Sequence, residues 1–269
     1  MDAYKLLQNK IQDLRFRGFG GTSIQMHRAI FSIRLQKSNL ILALLLPLFF
    51  NFLVFASLDL ILQSWHALFD FWLRQIAPHH QVLEYPIDLG RYLLAMPFPD
   101  FSAGAPSSFN WWLSLIVSAL IFLLTYFIPP DRFLPLTYIL RACLLIQSTA
   151  LAYFYFSPST FPYDLPSYLG NGLVMGLFFL FLIPWILGFT YYVFNFHILQ
   201  KIALTLIILG YFLLAFPMQY LFHGYLLSEL SLLYLPLAYL VLGGFLDVMM
   251  FVAFYSWGMS WRWGELDGN

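Results

Sequence analysis

The chain has 269 residues, of which 61% are hydrophobic, 20% aromatic and 10% charged, with a formal net charge of zero. Soluble domains carry about 25% charged residues, so this composition excludes a soluble enzyme as the bulk of the molecule and marks an integral membrane protein. The neutral balance gives no pull toward nucleic acid, and the single cysteine, Cys143, excludes an internal disulfide or a thiolate metal cluster.

Residues 1–38 come first. Tyr4, Leu7, Ile11 and Leu14 recur at helical spacing among Lys5, Lys10 and Arg15, with Asp2 placed to cap. This pattern predicts a basic amphipathic helix on the inner leaflet, its cations near anionic headgroups. Gly-Phe-Gly-Gly at 18–21 breaks it, and a second basic helix, 22–37, leads into the membrane. Lys5, Lys10, Arg15, Arg17, Arg28 and Arg34 form a candidate docking surface for a cytoplasmic partner; a plain membrane anchor is the alternative. A cleavable signal peptide is not expected, because its apolar core would follow a short basic region directly.

Six apolar runs are long enough to cross a bilayer: 39–64, 111–129, 133–157, 168–193, 198–222 and 229–256. The expected fold is all-α: a polytopic bundle of about six transmembrane helices over 39–256, preceded by the interfacial N-terminal helix and followed by a cytoplasmic tail, 257–269. Pro47, Pro184, Pro217 and Pro236 fall inside spans, where neighbouring helices can satisfy the backbone groups they free. In the first span Asn51 and Asp59 share one face. Asn51 needs a partner inside the bundle, whereas Asp59 is placed to reach water.

The loop 65–110 comes next. Trp65, Leu68, Phe69, Trp72 and Ile76 have helical spacing and predict an interfacial helix; the Pro, Gly and Ser that follow predict irregular chain. His66, His79, His80, Asp88 and Arg91 lie here, with Asp164 and His223 expected on the same outer side. Histidine and carboxylate together can hold zinc, but no metal-ligand spacing occurs, so neither a metal nor a cofactor is assigned.

The third span contains Arg141, a permanent cation in an apolar run. It shares a stripe with Thr137 and Ser148 and is expected to face protein. Asp247 in the sixth span lies at a similar depth, one turn beyond Gly243 and Gly244. The expectation is an ion pair across the two helices, because a lone charge at the helix centre costs about 2.5–3.5 kcal/mol on insertion scales. In the fourth span Gly172 and Gly176 form a GxxxG pair that permits close packing.

Lys and Arg near the spans fall mostly on one side: Arg28, Arg34, Lys37, Arg132, Lys201 and Arg262, against Arg74 and Arg91 on the other. The positive-inside rule then places both termini in the cytoplasm of a bacterial inner membrane. The cytoplasmic connections are too short for a nucleotide-binding domain. The expected function is a subunit of a multisubunit envelope complex, of transport or export permease type, partnered by the lipid bilayer and other subunits such as a cytoplasmic ATPase. Two alternatives stand beside it: a membrane enzyme acting on a lipid-linked substrate at the outer face, and a non-catalytic assembly protein.

Overall fold

The structure is a computed structural model that describes residues 37–88, 93–193 and 197–261. Lys5, Lys10, Arg15, Arg17, Arg28, Arg34 and Arg91 lie outside the described residues, as do the N-terminal helices expected from the sequence.

Seven helical segments and one hairpin follow one another: α1 (Lys37–Ala56), α2 (Leu58–Ile76), β1 (Val82–Asp88), β2 (Leu93–Pro99), α3 (Ser108–Phe127), α4 (Pro130–Phe156), α5 (Leu165–Val193), α6 (Ile198–Leu230) and α7 (Leu232–Met259). Helices α3 to α7 are each long and apolar enough to cross a membrane, and α1 with α2 makes a sixth span if the bent pair is counted as one. The molecule is thus a mainly helical bundle with the make-up of a multi-pass membrane protein.

The first span is not straight. It breaks at Ser57, where α1 and α2 meet at 59°. Composition explains the break: α1 is apolar all round, but α2 is amphipathic. Ile61, Leu62, Trp65, Phe69 and Leu73 face the core, whereas Asp59, Gln63, His66 and Arg74 are exposed. Trp65 is therefore a core residue, 1% exposed.

Its indole Nε1 donates to the Leu213 carbonyl at 2.8 Å. Leu213 stands four residues before Pro217 in α6, and proline has no N–H with which to close that helical turn. The tryptophan fills the gap in the helical ladder. Trp65→Phe is expected to destabilise the fold by about 1–3 kcal/mol, the cost of an orphaned buried carbonyl. In a Pro217→Ala background, where the backbone N–H returns, the same change should cost much less. Equal costs in the two backgrounds, read from denaturant unfolding in detergent, would refute the link.

Helix α1 lies antiparallel along α5. The Asn51 amide finds the partners it needs there, donating to the Phe181 carbonyl at 3.0 Å and accepting from Trp185 Nε1 at 2.8 Å. Further along the same seam Pro47 and the Ala43 carbonyl fill the notch left by Gly188. Helices α5 and α6 form the centre of the bundle. Gly172 of α5 faces the Tyr220 ring and Gly176 faces Phe216, so the GxxxG stripe of the sequence is the close-packed face.

The segment expected to be irregular contains a hairpin, and the fold is therefore not purely helical. β1 and β2 pair antiparallel, Val82 opposite Pro99, Glu84 opposite Pro97 and Pro86 opposite Ala95. All three prolines fall on the same alternating class of pair. In an antiparallel ladder one class points its N–H groups away from the partner, so these prolines interrupt nothing. Met96, Phe98 and Phe101 are buried where β2 and the following turn cover one end of α2, α5 and α6. This is the hairpin end of the bundle. Ser231, at the α6–α7 junction there, holds φ 115° and ψ 168°, a region that L side chains rarely adopt.

Candidate functional site in the bundle core

Among the described residues Asp247 is the one buried carboxylate, 6% exposed. It follows Ala238–Phe245, which is π-helical rather than α-helical. Gly243 and Gly244 make part of the local reason legible, because they offer no side-chain packing to hold the α register. π-Turns of this kind recur at functional sites. The widened turn leaves the Leu242 carbonyl to Gln219, whose amide donates to it at 2.6 Å. Asp247 itself accepts from the Tyr211 hydroxyl at 3.1 Å. Among the described residues no cation lies within ion-pair distance of Asp247.

A second group sits nearer the hairpin end. The Tyr168 hydroxyl and His223 Nδ1 are 2.9 Å apart, and their rings stack at 6.2 Å and 23°. Tyr220 packs on both, at 5.7 Å from Tyr168 and 5.4 Å from His223. Tyr239 meets Tyr168 edge-on at 6.4 Å. His223 is 0% exposed, and its Nε2 has no hydrogen-bond partner. At 1.5 Å per residue, Asp247 lies about 18 Å from the Met259 end of α7, and His223 about 10 Å from the Leu230 end of α6. One polar group is thus near the middle of α7 and the other toward the hairpin end of α6.

The opposite end of the same α5–α6–α7 seam is polar as well. Tyr191 donates to the Lys201 carbonyl at 3.0 Å and shares a hydrogen bond with Thr205 at 3.1 Å. The Lys201 ammonium lies 6.0 Å from the Tyr191 ring centre, and Lys201 is 1% exposed. Gln200 donates to the Gly258 carbonyl at 2.5 Å. Titratable and hydroxyl groups therefore recur at three depths, where apolar packing alone would have been cheaper.

The expected Arg141–Asp247 pair does not form. Arg141 donates from Nε to Thr125 at 3.3 Å and lies 5.3 Å over the Tyr126 ring, both on α3. α4 meets the last span mainly at Leu232–Leu237, its hairpin end, so at the depth of Arg141 the two helices have parted. Equal depth set neither azimuth nor contact. Arg141 and Ser148 also face an open surface of the chain, not its interior.

His223, expected outside, is inside: α6 runs on to Leu230, past the edge of the apolar run. At the hairpin end His80 Nδ1 hydrogen-bonds the Asp100 carbonyl and its ring packs on Phe101 at 4.8 Å, a structural role. His79 and Asp164 are exposed. Asp88 ends β1. Asp59 is exposed beside the bend at Ser57. His66 and Glu84 line a small hollow of about 230 Å³ with Gln63. Among the described residues no three metal-ligating side chains converge. The Tyr168–His223 contact joins residues 55 apart in sequence. The only prior signal for it was the i, i+3 placement of Tyr220 and His223, which puts them on one helical face.

No family model, curated protein or solved structure matches the chain.

Proposed function

We propose that this chain is a multi-pass subunit of an inner-membrane complex, of transport or export type, with the hairpin end outside and both termini in the cytoplasm. Intramembrane ionisable residues that face the bundle interior mark substrate or ion pathways more often than chance. The observation that carries the reading is Asp247: a buried carboxylate at a π-helical turn, held by a tyrosine and, among the described residues, by no cation. His223, Tyr211 and Lys201 extend the polar seam toward both membrane faces. The basic segment 1–38, with Lys5, Lys10, Arg15, Arg17, Arg28 and Arg34, is the proposed docking surface for a cytoplasmic partner such as an ATPase.

The test is gentle detergent extraction of a tagged copy, followed by mass determination and identification of what travels with it. A stoichiometric companion is expected, together with its loss when residues 1–21 are removed. A clean monomer or homodimer would overturn the proposal.

A second reading has one observation of its own: His66 and Glu84 share a hollow at the hairpin end. It would make the chain a membrane enzyme acting on a lipid-linked substrate at the outer face. If so, His66→Ala should abolish activity without changing the companions recovered.

A further inference from the structure

Arg141 has five N–H donors. One goes to Thr125, and the guanidinium rests on the Tyr126 ring. Among the described residues no carboxylate lies within ion-pair distance of it. Arg141 is a permanent cation on an exposed helix face, and most of its donors are open to an anion from outside the described residues.

A groove begins one helical turn away. It lies between α3 and α4, has a volume of about 580 Å³, and opens sideways to the bundle surface. Phe122 and Leu144, three residues from Thr125 and Arg141 respectively, form its near end. Ala119 and Ala152 line it, and the Ser148 hydroxyl is turned back onto the Leu144 carbonyl at 2.6 Å, so apart from Ser118 the lining is apolar. The far end is lined by Trp111, whose ring packs at a tilt on Tyr155 at 5.5 Å and whose Nε1 donates to the Leu151 carbonyl at 3.0 Å.

Length and charge select the occupant. From Leu144 to Tyr155 the groove is about 17 Å long, close to half of a hydrocarbon core of about 30 Å. That is the reach of one extended acyl chain, and the cation at its end complements an anionic headgroup. The polarity is also fixed: cation at one end, aromatic stop at the other. An amphiphile from the leaflet on the Arg141 side would enter with its headgroup at the guanidinium and its tail toward Trp111.

We propose that α3 and α4 bind one anionic phospholipid, its phosphate on Arg141 and an acyl chain in the groove. Arginine holds phosphate through two parallel N–H bonds, which lysine cannot reproduce.

The experiment uses the full chain in mixed micelles containing equal amounts of phosphatidylglycerol and phosphatidylcholine, with retained lipid counted by native mass spectrometry. Both lipids offer a phosphate, but phosphatidylcholine adds a choline cation that repels the guanidinium, so the wild type is expected to retain phosphatidylglycerol about tenfold over phosphatidylcholine. Arg141→Gln should erase the preference, and Arg141→Lys should keep part of it. Ala152→Phe, which leaves Arg141 in place and fills the groove, should lower retention of both lipids. Equal retention by the wild type, an unchanged preference in Arg141→Gln, or unchanged retention in Ala152→Phe would each overturn the proposal. So would a companion membrane protein that binds through Arg141 while no lipid is held. That outcome would make the groove a helix–helix interface.

Discussion

Replacing Gly176 with leucine is expected to prevent the bundle from forming, and replacing it with alanine to destabilise it by about 1–3 kcal/mol, the usual cost of overpacking a closed core. The cause is the Phe216 ring, which occupies the space a β-carbon would need. Phe216 cannot simply turn aside. It is 1% exposed, lies 5.6 Å from Phe212 and 4.9 Å from Tyr220, and meets Phe179 edge-on at 6.4 Å. Moving one ring moves the stack. Gly172 against Tyr220 should behave alike, with an added effect on the Tyr168–His223 group that Tyr220 supports. Gly210 is the control on α6, because nothing lies within 4 Å of a β-carbon there. Gly210→Ala should stabilise by up to about 1 kcal/mol through helix propensity alone. Denaturant unfolding in a fixed detergent would compare the three. If Gly176→Ala and Gly210→Ala shift stability in the same direction, the close packing of α5 on α6 is not as described.

The second large effect is expected at Asp247. Asp247→Leu removes the acceptor of the Tyr211 hydroxyl and should cost about 1–3 kcal/mol, the price of a buried donor without a partner. Tyr211→Phe should cost a similar amount for the opposite reason, since it strips the carboxylate of that donor. The double variant should cost clearly less than the two singles added, because it leaves neither group behind. Asp247→Asn keeps an acceptor oxygen and should fold. A second cycle, Arg141→Gln with Asp247→Asn, should be additive within about 0.5 kcal/mol, as for residues that share no partner. Strong coupling in the second cycle and none in the first would restore the ion pair that depth alone suggested.

These two cycles also locate what the sequence could and could not say. Five of the helices and the polar needs of Asn51 were legible, because apolar length and a lone amide in a span are local facts. The break at Ser57 was partly legible: the amphipathic pattern of 65–76 was visible, but its backward extension to Leu58 was hidden because Leu58, Leu60, Ile61 and Leu62 read as a continuation of the apolar run. The hairpin was masked by Pro86, Pro97 and Pro99, which count against a strand unless their pairing class is known. His223 was misplaced because hydropathy assigned the end of a span at Phe222, whereas the helix continues under the hairpin. The Asp247 partner was out of reach, since azimuth around a bundle depends on how each helix tilts and bends. GxxxG gave the right face of α5 but could not name the rings that fill it.

The bend at Ser57 has a consequence for the surrounding lipid. Pro47 against Gly188 and Asn51 against Phe181 fix an antiparallel register, which carries Ala56 to about the level of Gly176. That level is about 16 Å short of the Leu165 end of α5. Beyond it the perimeter passes to α2, whose outward face mixes Asp59, Gln63, His66 and Arg74 with Leu60, Phe71 and Trp72. Such a face suits the boundary between headgroups and hydrocarbon, and a short apolar stretch is met by thinning of the bilayer. The headgroup surface would therefore dip beside α2, giving the molecule a lopsided annulus, thicker along α3 and α4 than along α2.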